Sequence, residues 1–267
     1  MNLQGKIALV TGSERGIGKG IALKLAEHGA DMVVNYVWSQ PDAEEVCREI
    51  EGMGRKAFSF RADVSRSDEV RALFAKAVHR FGTLDILVNN AGIGVPNLVE
   101  DITEEEWNRV LGVNLTGVFL CCQEAARIMK PRKKGKIVNI ASISGIKMAT
   151  YSGVHYTVAK AGVIALTRHI GFELAPYGIH VNAVCPGAVL TPLMQKNPPH
   201  VLEKMASNIP TGRITTIEDQ ADAVLFLASD FSNSIVGTTL VVDGGSLLGW
   251  QSTESYERAM KKARKSQ

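Results

Sequence analysis

The chain alternates short apolar runs with longer stretches in which apolar residues recur every three or four positions. Ile7 to Val10 is apolar throughout and ends in Thr11-Gly12. From about Gly18 to His28, Ile21, Leu23 and Leu25 interleave with charge, a spacing that predicts a helix. The same rhythm predicts strands at 30–36, 57–61, 86–88, 136–140, 179–184 and 239–242. Between them it predicts helices ending near Gly52 and Phe81, a long helix over 104–129, and helices at 156–175 and 218–228. Strands that are apolar at every position, each followed by a helix, mean a parallel sheet covered on both faces. The expected fold class is therefore α/β, a doubly wound parallel sheet with helices on both faces.

No internal repeat or Pro/Gly-rich linker interrupts this cadence, so a single domain is expected over about 1–250. One stretch breaks the pattern. Residues 188–216 contain Pro192, Pro198, Pro199 and Pro210, and a segment of that length in a compact domain reads as a lid or binding loop. Residues 251–267 form a separate basic tail.

Composition narrows the class without changing the fold. At 267 residues with 45% hydrophobic and 21% charged positions, the chain is ordinary globular material, which argues against a disordered or fibrous protein. No apolar run approaches the ~18 residues needed to cross a bilayer. Met1 to Lys6 has no charged start, apolar stretch and cleavage site of a signal peptide. Cys47, Cys121, Cys122 and Cys185 show no CxxC spacing, and the histidines include no HxxxH pair, so no metal site and a reduced, cytoplasmic setting are expected. The tail carries Arg258, Lys261, Lys262, Arg264 and Lys265 against Glu254 and Glu257, which accounts for the whole net charge of +3. A neutral body with a small basic tail is a poor nucleic-acid binder.

The turn after the first strand reads Thr11-Gly12-Ser13-Glu14-Arg15-Gly16-Ile17-Gly18. Glycines let a backbone turn tightly and approach a pyrophosphate, and the helix N-terminus behind them offers free N–H groups. The spacing is GxxxGxG, and its place directly after the first strand favours a dinucleotide over a merely structural turn. At the end of the second strand an acid would bind a ribose 2′-OH and repel a 2′-phosphate. Asn35-Tyr36-Val37-Trp38 supplies none, and Arg15 could pair with a 2′-phosphate, unless it is paired with Glu14 or is a simple surface group. NADP is therefore expected ahead of NAD.

Tyr156 and Lys160 stand one helical turn apart in Tyr156-Thr157-Val158-Ala159-Lys160. Alone, such a pair is commonplace on a surface. With the ammonium ~4 Å from the phenol, however, the attraction is worth about 4 kcal/mol at an effective dielectric of ~20. That could lower the phenol pKa from ~10 towards 7, where it can exchange a proton with a secondary alcohol. Ser142 ends a predicted strand and could hold the reacting oxygen, while Ser144 reads more simply as a turn residue. Asn114, in an otherwise apolar helix, needs buried partners, whether structural or functional. His155, beside the tyrosine but about 100° round a helix, reads as a flanking or structural residue.

Taken together, TGSERGIG (11–18), Asp63-Val64, NNAG (89–92), Asn114, Ser142, YTVAK (156–160) and PGAVLT (186–191) resemble the short-chain dehydrogenase/reductase family over essentially the whole chain. Ala141 departs from it, standing where a second serine is common. The resemblance implies a seven-stranded Rossmann sheet in the order 3-2-1-4-5-6-7. It implies Tyr156 as general acid/base, Lys160 lowering its pKa and holding the nicotinamide ribose, Ser142 fixing the substrate oxygen and Asn114 organising a proton relay. It also implies cofactor contacts from Gly12, Ser13, Arg15, Gly16, Ile17 and Gly18. Further contacts would come from Asp63 and Val64 at the adenine, Asn90, Ala91 and Gly92 at the ribose, and Pro186, Gly187, Val189 and Thr191 near the carboxamide.

Within the family, His155-Tyr156, Leu174 to Ile179 and Asp243-Gly244-Gly245 look most like glucose 1-dehydrogenases, with 3-oxoacyl-carrier-protein reductases next. Tyr177, where the reductases often have a basic residue for an acidic carrier protein, favours the first. A non-catalytic dinucleotide sensor is the alternative of another class. The substrate is expected to be a small alcohol or ketone in a mixed to apolar pocket that includes Pro96, Met148, Tyr151, Leu193, Met194 and Met205. A homotetramer is expected to pair through 104–129, 153–176 and the last strand. The tail, with Tyr256 and Met260 one turn apart, would help at a subunit contact or simply be solvated.

Overall fold

The computed structural model describes residues 1–148, 152–249 and 253–265. The apolar runs form β1 (Ile7–Val10), β2 (Asp31–Tyr36), β3 (Ala57–Arg61), β4 (Ile86–Asn89), β5 (Gly135–Ile140), β6 (Ile179–Pro186) and β7 (Thr239–Val242). They pair in parallel in the order β3-β2-β1-β4-β5-β6-β7, as the motifs imply. The intervening periodic stretches form α1 (Gly16–Glu27), α2 (Gln40–Gly52), α3 (Ser67–Phe81), α4 (Glu104–Leu111), α5 (Gly117–Met129), α6 (Val154–Leu174), α7 (Pro199–Ser207), α8 (Ile217–Ala228) and α9 (Thr253–Lys265).

The strand pleat sorts the core into two layers. Leu9, Val33, Leu87, Ile137 and Val181 face α3, α5 and α6, where Leu73, Phe74, Val118 and Val163 meet them. Ala8, Met32, Val34, Ile86 and Val138 face α1, α2 and α8, against Ile21, Leu25, Ile50 and Val224. Both faces of the central strands are buried, so most of their positions carry apolar side chains, which is why these strands read as continuous apolar runs. Truncating the buried Phe74 to Ala should cost about 3–5 kcal/mol.

A buried polar chain ties the central strands to the helices. Asn89 Nδ2 donates to Asn139 Oδ1 at 2.8 Å, and Asn139 Nδ2 donates to Thr167 Oγ1 at 2.9 Å. It spans β4, β5 and α6 just below the carboxyl ends of the strands.

One expectation changes. The helix expected over 104–129 is interrupted: residues Gly112–Thr116 widen into a single π-helical turn between α4 and α5. Periodicity does not reveal such a turn, because it adds only one residue to a helix that continues on both sides. The segment 188–216, expected as a lid or binding loop, contains regular structure of its own. It holds α7, and a bridge between Val189 and Thr215 closes its base.

Candidate active site

Ligands of a doubly wound sheet bind at the carboxyl ends of the strands, beside the point where the strand order reverses. Here that point lies between β1 and β4. Gly12 and Gly16 have φ of +58° and +57°, a conformation that other residues adopt only under strain. Gly18 is required for a different reason: a Cβ there would lie 2.2 Å from the Gly12 carbonyl oxygen. Ser13 Oγ donates to Val10 O at 2.7 Å. Arg15, at the N-cap of α1, is exposed, and Glu14 is buried. Asn35, at the end of β2, is spent on the turn itself: its Oδ1 accepts from Gly12 N and its Nδ2 donates to Ala62 O.

The neighbouring loop is fastened to this turn. Thr11 Oγ1 accepts from Asn90 N at 2.9 Å and from Ala91 N at 3.0 Å, and Asn90 Nδ2 donates to Thr11 O and Gly12 O. Asp63 lies beyond β3, with Val64 packed against Gly117. Burial pushes the Asp63 carboxyl up, but hydrogen bonds from Ser65 and Arg109 outweigh it and hold the group below its ordinary value. The Arg109 contact, 2.9 Å from Asp63 Oδ2, has no signal in the sequence, because it joins positions far apart in the chain.

The catalytic candidates converge at the ends of β4 and β5. Ser142 follows β5 directly, and its Oγ accepts from Ser144 N and lies 3.1 Å from Ser144 Oγ. Ser144 is thus a neighbour of Ser142 as well as a turn residue. Tyr156 is in the first turn of α6 and Lys160 one turn further on. Lys160 is 3% exposed and donates to Ile140 O at 2.8 Å. Burial pushes its pKa down to about 8.

The phenol does not titrate as the simple charge pair suggests. Burial raises Tyr156 above its ordinary value, and a hydrogen bond with Ser142 offsets only part of the rise. The Lys160 ammonium is held by Ile140 O and stands 5.6 Å from the Tyr156 ring centroid. The simple charge pair omits the cost of burying a phenolate, which is the larger effect here.

Asn114 sits in the π turn. Its Nδ2 donates to Ile93 O at 2.7 Å and to Val110 O at 3.0 Å. Its Oδ1 is buried and has no hydrogen-bond partner among the described residues. That oxygen borders the same small space as Lys160: a Cβ on Gly92 would lie 2.8 Å from Asn114 Oδ1 and 3.7 Å from Lys160 Nζ. The widened turn thus leaves a polar atom beside the space that the lysine also borders, and π turns are frequent at functional sites.

On the far side, Pro186 ends β6, and a Cβ on Gly187 would lie 2.8 Å from Asp243 Cα. Thr191 Oγ1 accepts from Met194 N at 3.2 Å. Of the expected pocket lining, Met148 and Leu193 are exposed, while Tyr151 lies outside the described residues.

The family profile described as Enoyl-(Acyl carrier protein) reductase matches residues 11–246. The 3-oxoacyl-[acyl-carrier-protein] reductase FabG of Staphylococcus aureus is 43% identical over 240 residues, covering 90% of this chain and 97% of that protein. Its counterpart from Staphylococcus epidermidis is 42% identical over the same length. The chain belongs to the short-chain dehydrogenase/reductase family. It is an NAD(P)-dependent oxidoreductase acting on CH–OH and keto groups.

Solved structures of the family agree on the fold. A short-chain type dehydrogenase/reductase from Mycobacterium marinum superposes with a TM-score of 0.87 at 38% identity, covering 93% of this chain and 98% of that one. A provisionally assigned gluconate dehydrogenase from Agrobacterium tumefaciens gives 0.87 at 36% identity, covering 92% and 97%.

The residues present fit a nicotinamide dinucleotide. Helix α1 has no side-chain cap and no acid in its first turn, so no side chain of the helix itself occupies its leading amides. The close approach of Gly12 to Ala91, with a Cβ 3.1 Å from the Ala91 Cα, leaves backbone rather than side chains along the cradle. The buried, unpartnered Asn114 Oδ1 marks the reacting end. No described helix is long and apolar enough to cross a membrane, and no group of His, Cys, Asp and Glu among the described residues could hold a metal ion.

Proposed function

We propose that this protein is an NADP-dependent reductase that converts the keto group of a 3-oxoacyl thioester to a secondary alcohol. The observation that carries the chemistry is the convergence of Ser142, Tyr156, Lys160 and the free Asn114 Oδ1 at one strand edge. A reduced nicotinamide, when bound, supplies a hydride for the carbonyl carbon. Ser142 hydrogen-bonds the carbonyl oxygen. Tyr156 gives its phenolic proton to that oxygen, so ketone, hydride and proton together account for the alcohol. The burial that raises Tyr156 keeps it protonated at neutral pH, the form that reduction needs. Lys160 stabilises the phenolate left behind, and Asn114 Oδ1 receives the next proton donor on the way back to it.

The cofactor choice rests on the end of β2, where Asn35 is consumed by the turn and no carboxylate follows, and on the exposed Arg15. Gly12, Ser13, Gly16, Ile17 and Gly18 would hold the pyrophosphate, Asp63 and Val64 the adenine, Asn90 to Gly92 the ribose, and Pro186 to Thr191 the carboxamide side.

For the substrate, the motifs alone favoured a sugar, as in glucose 1-dehydrogenases. The relatives at 42–43% identity support the acyl reading instead. Tyr177 is a weaker objection than it looks in sequence. Lys130 Nζ lies 4.6 Å above its ring, and Lys133 and Lys134 are exposed in the adjoining turn, so this surface still offers positive charge to an acidic carrier. The test is the absorbance change of NADPH and NADH with a 3-oxoacyl thioester, set against reduction of both oxidised cofactors by glucose and gluconate. The expected result is NADPH oxidation with the thioester, at a kcat/KM at least about 100-fold above any sugar. Turnover confined to the sugars would overturn the acyl assignment.

The assembly we propose is a homotetramer joined through α4–α6 and β7. Phe119 on α5 and Val158 and Phe172 on α6 present exposed apolar surface for it. In the tail helix α9, Tyr256 and Met260 are both exposed in the single chain. Light scattering before and after removal of 252–267 reports whether the tail contributes.

A further inference from the structure

The residue before Tyr156 is completely buried, and both of its ring nitrogens are engaged. His155 Nδ1 lies 2.9 Å from Tyr156 N, whose N–H it accepts. A ring nitrogen that accepts carries no proton, so the proton of the neutral ring is on Nε2. Nε2 lies 2.8 Å from Glu106 Oε1, and it donates there. The carboxylate is itself fixed: Asn97 Nδ2 lies 3.1 Å from Glu106 Oε2, and the Glu106 amide donates to Thr103 Oγ1 at the start of α4.

This chain of contacts replaces a missing cap. The first amides of a helix have no partner within it, and a side chain at the N-cap normally accepts from the second or third. The N-cap of α6 is Gly153, which has no side chain to offer. Nor is there room for one: a Cβ at Gly153 would lie 2.5 Å from His155 Cε1 and 2.9 Å from Val95 O. The Tyr156 amide is the third of the helix. It reaches Gly153 O at 3.1 Å and, at shorter range, the histidine ring.

We propose that Glu106 and His155 act as a positioning pair for Tyr156, the carboxylate holding the imidazole in the tautomer that caps the Tyr156 amide and thereby aims the phenol at Ser142. The inference rests on the reading of Tyr156 as the proton donor. Both residues act through Tyr156 and touch neither substrate nor cofactor. The pair also joins three elements of the site, since Asn97 belongs to the loop after β4, Glu106 to α4 and His155 to α6. Arg109, one turn along α4 from Glu106, reaches Asp63 in the same way. One short helix therefore references both the catalytic and the adenine ends of the site.

The test compares E106A, E106Q, H155L and H155N in the full-length enzyme, with Y156F as reference. It measures kcat, substrate KM, NADPH binding by fluorescence and thermal melting, with kcat normalised to the fraction that binds NADPH. Misplacing a reacting group by about an ångström costs roughly 100-fold. E106A and H155L should lose about 10- to 100-fold in kcat, while KM and NADPH affinity stay within threefold. E106Q keeps an oxygen for Nε2–H, and H155N keeps a side-chain acceptor for the Tyr156 amide, so both should recover to within about fivefold of wild type. If E106A does not fold, the contrast between H155L and H155N decides. Folded E106A or H155L with undiminished kcat, beside an inactive Y156F, would overturn the pair and leave the role of Tyr156 standing. A Y156F enzyme that still turns over would instead remove the reading on which the pair rests.

Discussion

Two buried lysines mark opposite ends of one strand. Lys160 reaches the carboxyl end of β5 and donates to Ile140 O at 2.8 Å. Lys136, near the amino end of β5, donates to Asn233 Oδ1 at 2.9 Å and to Ser232 Oγ at 3.1 Å. Burial pushes both down to about 8. Their titration is alike; their company is not. Lys160 stands among a phenol, a serine hydroxyl, an unpartnered amide oxygen and a glycine cradle. Lys136 opens on a cavity of about 440 Å³ lined also by Lys6, Asp85, Lys134, His180, Asp230 and Asn233, a set of charged groups and an imidazole with no phenol among them. A lowered lysine pKa therefore reports burial, and the fold decides which buried lysine has chemistry to do.

That contrast can be broken most directly by removing each lysine in turn. K160M should lower kcat by at least about 100-fold, since it takes away both the charge beside the phenol and its neighbour's support. K136M should leave kcat within twofold. Steady-state rates on both variants decide it, and equal losses would mean that the two ends of the sheet are not functionally distinct. A smaller effect sharpens the picture at the cofactor end. R15A should weaken NADPH binding by about 10- to 100-fold, the worth of charge-assisted hydrogen bonds, and leave NADH nearly unchanged. Fluorescence titration with both cofactors checks it, and equal losses would assign Arg15 to the turn itself.

The smallest expected effect is a pH dependence of stability. The ordinary value of Lys136 is 10.5, and the folded chain holds it near 8. Below pH 8 the amine is charged in both states, and the fold bears the cost of burying that charge. Between pH 8 and 10.5 the unfolded chain binds more protons than the folded one, so Lys136 makes stability rise with pH. Wild type should therefore gain in Tm relative to K136M across this window. Comparing the two proteins removes the contributions of the buried thiols and Tyr156, which they share. A difference that stays flat would place the Lys136 amine in contact with solvent.

The central strands were legible because a sheet buried on both faces favours apolar residues at successive positions, as in Ile7–Val10 and Ile86–Val88. The candidate catalytic side chains could be picked out because Tyr156 and Lys160 are close in sequence and Ser142 follows a predicted strand. Three features were not legible. The π turn at Gly112–Thr116 leaves no mark on hydrophobic spacing, although an Asn in an apolar helix hinted that something there needed a partner. The positioning roles proposed for His155 and Glu106 depend on a contact across 49 positions, which no local spacing reveals. The direction of the Tyr156 shift depends on burial and on the hydrogen bond with Ser142, and both are properties of the packed structure.

The account stands or falls on Tyr156 as the proton donor at the carboxyl end of the sheet. The most direct measurement is single-turnover oxidation of bound NADPH by Y156F with a 3-oxoacyl thioester, beside the NADPH affinity of the same protein. The variant removes one hydroxyl and keeps the ring that packs in α6. The predicted result is an unchanged NADPH affinity with hydride transfer slowed by about 100- to 10,000-fold, the usual worth of a positioned acid. Hydride transfer at the wild-type rate in a Y156F enzyme that binds NADPH normally would contradict it.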